Sequence, residues 1–154
     1  MELLMADVRV ARLAHLLTHY CTAVTPDEWV LVRAHLAALP LVDEVAREIA
    51  QAGAHATVQL ISDAVSESFA THAADAQLDW VSPAERLLAE QVDVRIVIHA
   101  PDNTRALSGL PPERAQRLNQ AQRAMGGTLM QRGAEGSLRS VLTNFPSPGL
   151  AQEA

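Results

Sequence analysis

Apolar residues recur along this chain with two different periods, and the alternation between them predicts an order of elements. Over positions 8–24, VRVARLAHLLTHYCTAV, residues Val10, Leu13, Leu17, Tyr20 and Cys21 fall at steps of three and four. That spacing lays them along one face of an amphipathic helix, closed by the turn TPDE at 25–28. WVLVR (29–33) shows almost no polar alternation, the pattern of a strand covered on both faces, as in a parallel sheet. Pro40 then suits the first turn of a helix, where a missing amide hydrogen costs little. Leu41, Val45, Ile49 and Ala52 carry that helix's apolar stripe, and Gly53 suits a left-handed cap. ATVQLI (56–61) is the second strand, so positions 29–61 have the length of one βαβ crossover, which is right-handed in nearly all proteins.

The second half follows the same logic. Positions 66–80 predict a weaker helix and 81–91 a better one, with Ser82 as cap, Pro83 in the first helical position and Glu85 completing a capping box. The third strand, VDVRIVIHA (92–100), places Val92, Val94, Ile96 and Ile98 on one face and Arg95 near an edge of the sheet. A turn-rich loop, PDNTRALSGLPP (101–112), leads to a long helix over 113–132. Gly126 and Gly127 inside it cost together about 2 kcal/mol relative to Ala, which predicts a break into two pieces. LRSVLTNF (138–145) is the fourth strand, followed by a proline-punctuated turn and the start of another helix. The expected fold is α/β, a Rossmann-like, mostly parallel sheet of about four strands flanked by helices in three layers. No linker or repeat divides positions 1–154, so one domain is expected.

Composition narrows the chemistry. At 49% hydrophobic and only 3% aromatic residues, the core must be built from Ala, Leu and Val, with few stacking platforms. Eighteen acidic residues oppose twelve basic ones, all arginine, for a net charge of −6; the long-range field repels nucleic acid. Cys21, the one cysteine, excludes an internal disulfide and a paired-cysteine zinc site, and reads as a small buried filler. The acidic Glu2 and Asp7 stand where a secretory signal would be basic, and no uncharged stretch approaches the ~20 residues that span a bilayer. A soluble cytoplasmic protein with neither nucleic-acid nor membrane partners is expected.

His15 and His19 stand four apart in HLLTH, a spacing that presents two imidazoles on one helix face. The zinc-protease pattern requires Glu directly after the first His, and Leu16 stands there instead, so the pair reads as helix surface and no metal ligand is assigned. In a parallel sheet, ligands gather beyond the carboxyl ends of the strands. His35 follows the first strand, Ser62 and Asp63 the second, His99 and the loop through Arg105 the third, and Asn144 the fourth. Asn103, Thr104 and Arg105 can wall a crevice there. Asn103 and Thr104 can equally cap a helix or bond their own backbone, and Arg105 can pair with a carboxylate. No Walker loop, no GxGxxG after a strand and no GxSxG elbow is present, and most carboxylates fall on predicted helix exteriors. No self-sufficient catalytic constellation is visible, and no catalytic residue is assigned.

The segments TPDEWVLVRAHLAALPLVDEVAREIAQAGAH, VSPAERLLAEQVDVRIVIHAPDNTRALSG and LRSVLTNFPSPGLAQEA, in this order and spacing, resemble the N-terminal region of the thermophilic aminopeptidase T family, the M29 metallopeptidases. The most specific parts are NTRALSG (103–109) and the terminal FPSPGLAQEA. Ser147 stands where the family usually has Thr, and Gly126–Gly127 interrupts a helix that is usually continuous. The resemblance implies a bilobal enzyme that removes N-terminal amino acids from peptides with a pair of divalent metal ions, zinc, cobalt or magnesium, held by the C-terminal half. On that basis this chain is expected to be the N-terminal part or a fragment, inactive alone and without a metal of its own. The family also implies a homodimer in which His35, His99, Asn103, Thr104 and Arg105 shape the active-site chamber or a domain contact. The rival expectation is a free-standing α/β binding or interaction module, because fold does not fix function.

Overall fold

A computed structural model describes residues 7–153 of the chain. Four strands, β1 (Trp29–His35), β2 (His55–Ile61), β3 (Val94–His99) and β4 (Arg139–Asn144), pair in the order β2-β1-β3-β4, every pair parallel. Helices α1 (Val8–His15) and α2 (Leu39–Gln51) cover one face. The other carries α5 (Pro83–Gln91) and α6 (Pro112–Ala134), with the shorter α3 (Asp63–His72) and α4 (Asp75–Leu78) beside α6, while α7 (Pro148–Glu153) follows β4 and is tied to Pro101. The expected three-layer α/β architecture is the one observed, with a wholly parallel sheet.

The two faces are built differently because the strand residues alternate. Val30, Val32 and Ala34 of β1 and Val94, Ile96 and Ile98 of β3 point one way and are wholly buried against Ala14 and Leu17 and against Leu41, Val45 and Ile49 of α2. The predicted apolar stripe of α2 therefore holds, and Gly53, at φ +77°, ends the helical run in the left-handed conformation expected. Leu31, with Leu88, Val92 and Leu138, forms a much smaller cluster on the opposite face. Polar groups occupy the rest of that face: Glu85 accepts hydrogen bonds from Arg33 Nη1 at 2.9 Å and Gln59 Nε2 at 3.0 Å, and Trp29 Nε1 donates to Thr57 Oγ1 at 2.8 Å.

Several local expectations are corrected. Tyr20 and Cys21 do not continue the face of α1, because Leu16–Cys21 widens into a π turn, in which Thr22 N–H donates to the Leu17 carbonyl five residues back. The extra residue per turn brings Thr18 inward and leaves Tyr20 82% exposed; Cys21 is exposed as well, not a buried filler. Arg95 lies on an inner strand, since β3 sits between β1 and β4. Val92 precedes β3 and joins the smaller cluster instead of the face of Val94. Ser82 and Pro83 stand at the predicted start of α5, but the capping box does not form: Ser82 makes no side-chain cap, and Glu85 is turned toward Arg33 and Gln59. The weak helix of 66–80 is two short ones, α3 and α4. The helix α6 runs unbroken through Gly126 and Gly127. Ala, Gln, Arg, Leu and Met on both sides are strong helix formers, and they offset the two glycines.

Two anchors tie β4 and its continuation to the rest of the fold. Arg139 Nη2 donates to both carboxylate oxygens of Glu28 at 2.6 Å, and its Nε donates to the Thr22 carbonyl at 2.7 Å. Burial opposes ionisation of Glu28, but the hydrogen bonds from Arg139 and from the Thr25 amide outweigh it and hold the carboxyl below its ordinary range. After β4, Ser147 Oγ donates to the Pro101 carbonyl at 2.7 Å and Gly149 N–H donates to the same oxygen at 3.1 Å. A Cβ at Gly149 would stand 2.4 Å from that oxygen, with the backbone carbonyl unable to yield as a side chain could. Gly149→Ala is expected to lift the segment from 147 onward off Pro101, at a local cost of about 1–2 kcal/mol. Faster amide exchange at position 149 and at Ala151, with β1 and β3 unchanged, is the result that checks this.

Candidate functional site

With the order β2-β1-β3-β4, the chain leaves β1 toward β2 and returns to place β3 on the other side, so the connections diverge above the carboxyl ends of β1 and β3. That divergence is where open parallel sheets form a crevice. His35 ends β1 and His99 ends β3, and their rings meet edge to face with centroids 5.0 Å apart. A cavity of about 340 Å³ opens here, lined by these two rings, Asp63, Asn103, Thr104 and Leu107 among others. A wider open depression of about 710 Å³ lies between α4 and α6, beside ion pairs of Arg114 and Arg117 with Asp75 and Asp79. The carboxylates of these pairs are exposed, so the pairs are worth little, and no imidazole faces the depression.

Asp63 organises the crevice. It is the first residue of α3, entered through Ser62, whose hydroxyl accepts from Val65 N–H at 3.4 Å. Asp63 Oδ2 accepts from the backbone N–H groups of Asp102 at 2.8 Å and Asn103 at 3.1 Å, and this fixes the start of the loop after β3. Its other oxygen lies 3.6 Å from His35 Nε2. His35 Nδ1 accepts from Ala100 N–H at 3.2 Å, so the ring's own proton sits on Nε2 and faces the carboxylate. The result is an imidazole held in one tautomer and one orientation at the strand end, next to a second imidazole. Such a wall can donate and accept hydrogen bonds.

Of the residues singled out from sequence, His35, His99, Asn103 and Thr104 are thus brought together. Arg105 is not: it is exposed, and among the described residues no carboxylate pairs with its guanidinium. Asn103 Oδ1 accepts from Arg105 N–H at 2.9 Å, so part of its role is to shape its own loop. Asn144 stands beside His99 in the β3–β4 register but is exposed and does not line the crevice.

A second constellation has a member that sequence reasoning missed. His15 Nδ1 and His19 Nε2 lie 3.0 and 2.8 Å from the same oxygen, Oε2 of Glu48 on α2. Burial opposes ionisation of Glu48, but the hydrogen bonds from the two imidazoles outweigh it and keep the carboxyl below its ordinary range. Glu48 falls on the edge of the apolar stripe of α2, one position before Ile49, and sequence periodicity treats such a carboxylate as solvated surface. Only the packing of α1 on α2 brings it under the histidines.

The family model described as Thermophilic metalloprotease (M29) matches residues 6–154. The chain belongs to the M29 family. Among solved structures of similar fold is wild-type AmpT from Thermus thermophilus, with a TM-score of 0.75 at 23% identity, over 92% of this chain. The chain spans 37% of the length of that structure, so the shared fold concerns a part of AmpT. No curated protein is a significant match. No helix among the described residues is long and apolar enough to cross a membrane.

A metallopeptidase family implies divalent metal, and the side chains here can be tested for it. Among the described residues, one group of three possible ligands converges, His15, His19 and Glu48, with ligand atoms within 4.8 Å of one another. A pair of ions needs a bridging carboxylate and further ligands on each metal. Three residues sharing one oxygen do not fit a pair, and no catalytic step is derived from them.

Proposed function

We propose that these residues form a non-catalytic α/β domain of a metal-dependent aminopeptidase, an enzyme that removes N-terminal amino acids from peptides. The observation that carries this reading is the family match over residues 6–154, in a chain whose described side chains do not fit a metal pair. The reading places the divalent metal pair and the peptide-hydrolysing groups in another part of a larger cytoplasmic enzyme. Within a homodimer of that enzyme, the crevice of His35, His99, Asn103 and Thr104, with Arg105 on its outer loop, would border the substrate chamber or the contact between domains. Its one-tautomer imidazole suits a fixed wall better than a moving acid or base.

The purified chain, incubated with leucyl substrates and zinc or cobalt, is expected to release no amino acid above the metal-only control. Chelator-sensitive release at an enzymatic rate would overturn the reading.

A further inference from the structure

We propose that His15, His19 and Glu48 form a binding site for one zinc-class divalent cation, clamping the α1–π segment to α2. The two histidine nitrogens and the Glu48 oxygen already converge, at 3.0 and 2.8 Å from nitrogen to oxygen. A tetrahedral ion sits about 2.0–2.2 Å from each such ligand, which places the ligand atoms roughly 3.3–3.5 Å from one another. Opening the present contacts by about half an ångström is enough to admit it. The adjustment falls on imidazoles that are free to turn, with the His15 and His19 side chains 67% and 35% exposed. The carboxylate, 17% exposed, stays anchored in the helix. Two nitrogens and one carboxylate oxygen favour zinc, nickel or copper over magnesium or calcium, which take all-oxygen shells. The fourth position opens to water.

The backbone around the site points the same way. His19 is presented from the π turn, a conformation that recurs at functional sites. Thr18 Oγ1, buried within that turn, finds no hydrogen-bond partner among the described residues, and Ala23 just beyond adopts a left-handed φ of 46°. These are costly local features, and an α-helical continuation would have avoided them. Arg47, beside Glu48 in sequence, does not occupy the site: its guanidinium is engaged by Glu44 at 3.1 Å and Asp43 at 3.6 Å.

The inference is independent of the proposed function, and calorimetric titration of the 154-residue chain with zinc chloride tests it. One ion per chain is expected, with magnesium giving no heat. His15→Ala, His19→Ala and Glu48→Gln should each weaken zinc at least tenfold, and Cys21→Ser should leave it unchanged. His15 is exposed and Glu48→Gln keeps the hydrogen-bond geometry, so circular dichroism of both variants should match the parent. Zinc should also raise the melting temperature of the parent and not of Glu48→Gln. Absence of binding, or binding that survives all three substitutions or depends on Cys21, would overturn the site.

Discussion

Ile96→Ala is expected to lower unfolding stability by about 3–4 kcal/mol, the largest single effect we predict for this chain. Ile96 is wholly buried on an inner strand, paired with Val32 of β1 on one side and Val141 of β4 on the other. Truncating it removes buried methylene contacts and leaves a cavity between the sheet and α2. A parallel sheet with neighbours on both sides cannot collapse into that space without breaking ladder hydrogen bonds, so little of the cost is recovered. The fully buried members of the cluster are all aliphatic, and the one aromatic ring packed against it, Phe145, lies beyond the end of β4 and not beside Ile96 in the register. The urea midpoint of the variant should fall with no change in slope. A shift corresponding to under about 1 kcal/mol would mean that this face is loosely packed.

The second large effect is local and concerns the crevice. Asp63→Ala is expected to free the loop after β3, because two backbone N–H groups lose a charged acceptor and His35 loses the carboxylate facing its Nε2. Hydrogen bonds to charged groups are worth about 1.5–3 kcal/mol, and the partly wet setting favours the lower half of that range. Asp102 and Asn103 amides should then exchange roughly 10- to 30-fold faster, since each 1.4 kcal/mol is a factor of ten. Asp63→Asn, which keeps one acceptor oxygen and loses the charge, should fall between the two. The melting temperature should move little, because the hydrophobic clusters contain no residue of 101–112. Unchanged exchange at Asp102 and Asn103 would show that the loop is held by something other than Asp63.

Much of this was legible in the residue pattern, and the misses share a cause. The strand positions and the stripe of α2 were readable because each depends on residues within one window, where burial on a given face leaves a fixed period. The left-handed Gly53 was readable for a similar reason, since a local conformation demands a particular residue. Arg95 lies on an inner strand and not near an edge; an edge position and an inner position on a partly polar face look alike in one strand. The break expected at Gly126–Gly127 did not occur, since helix propensity is a sum over a segment and two weak residues do not decide it. Ser82 and Glu85 have the sequence of a capping box, yet Arg33 and Gln59, distant in sequence, compete for the carboxylate and win.

The sites divide in the same way. His35, His99 and the loop at 103–105 could be named from sequence because a parallel strand delivers whatever follows it to one end of the sheet. By itself, then, the sequence determined the α/β class, the parallel strands, the M29 membership and which polar groups lie at the strand ends. Tertiary structure alone decided that β1 and β3 are neighbours, so that two histidines 64 positions apart touch, as His35 and His99 do. It also decided that Glu48 lies under His15 and His19. The physical reason is that periodicity reports which face of an element is buried and says nothing of what it is buried against. A site shared by two elements exists only once the packing between them is set.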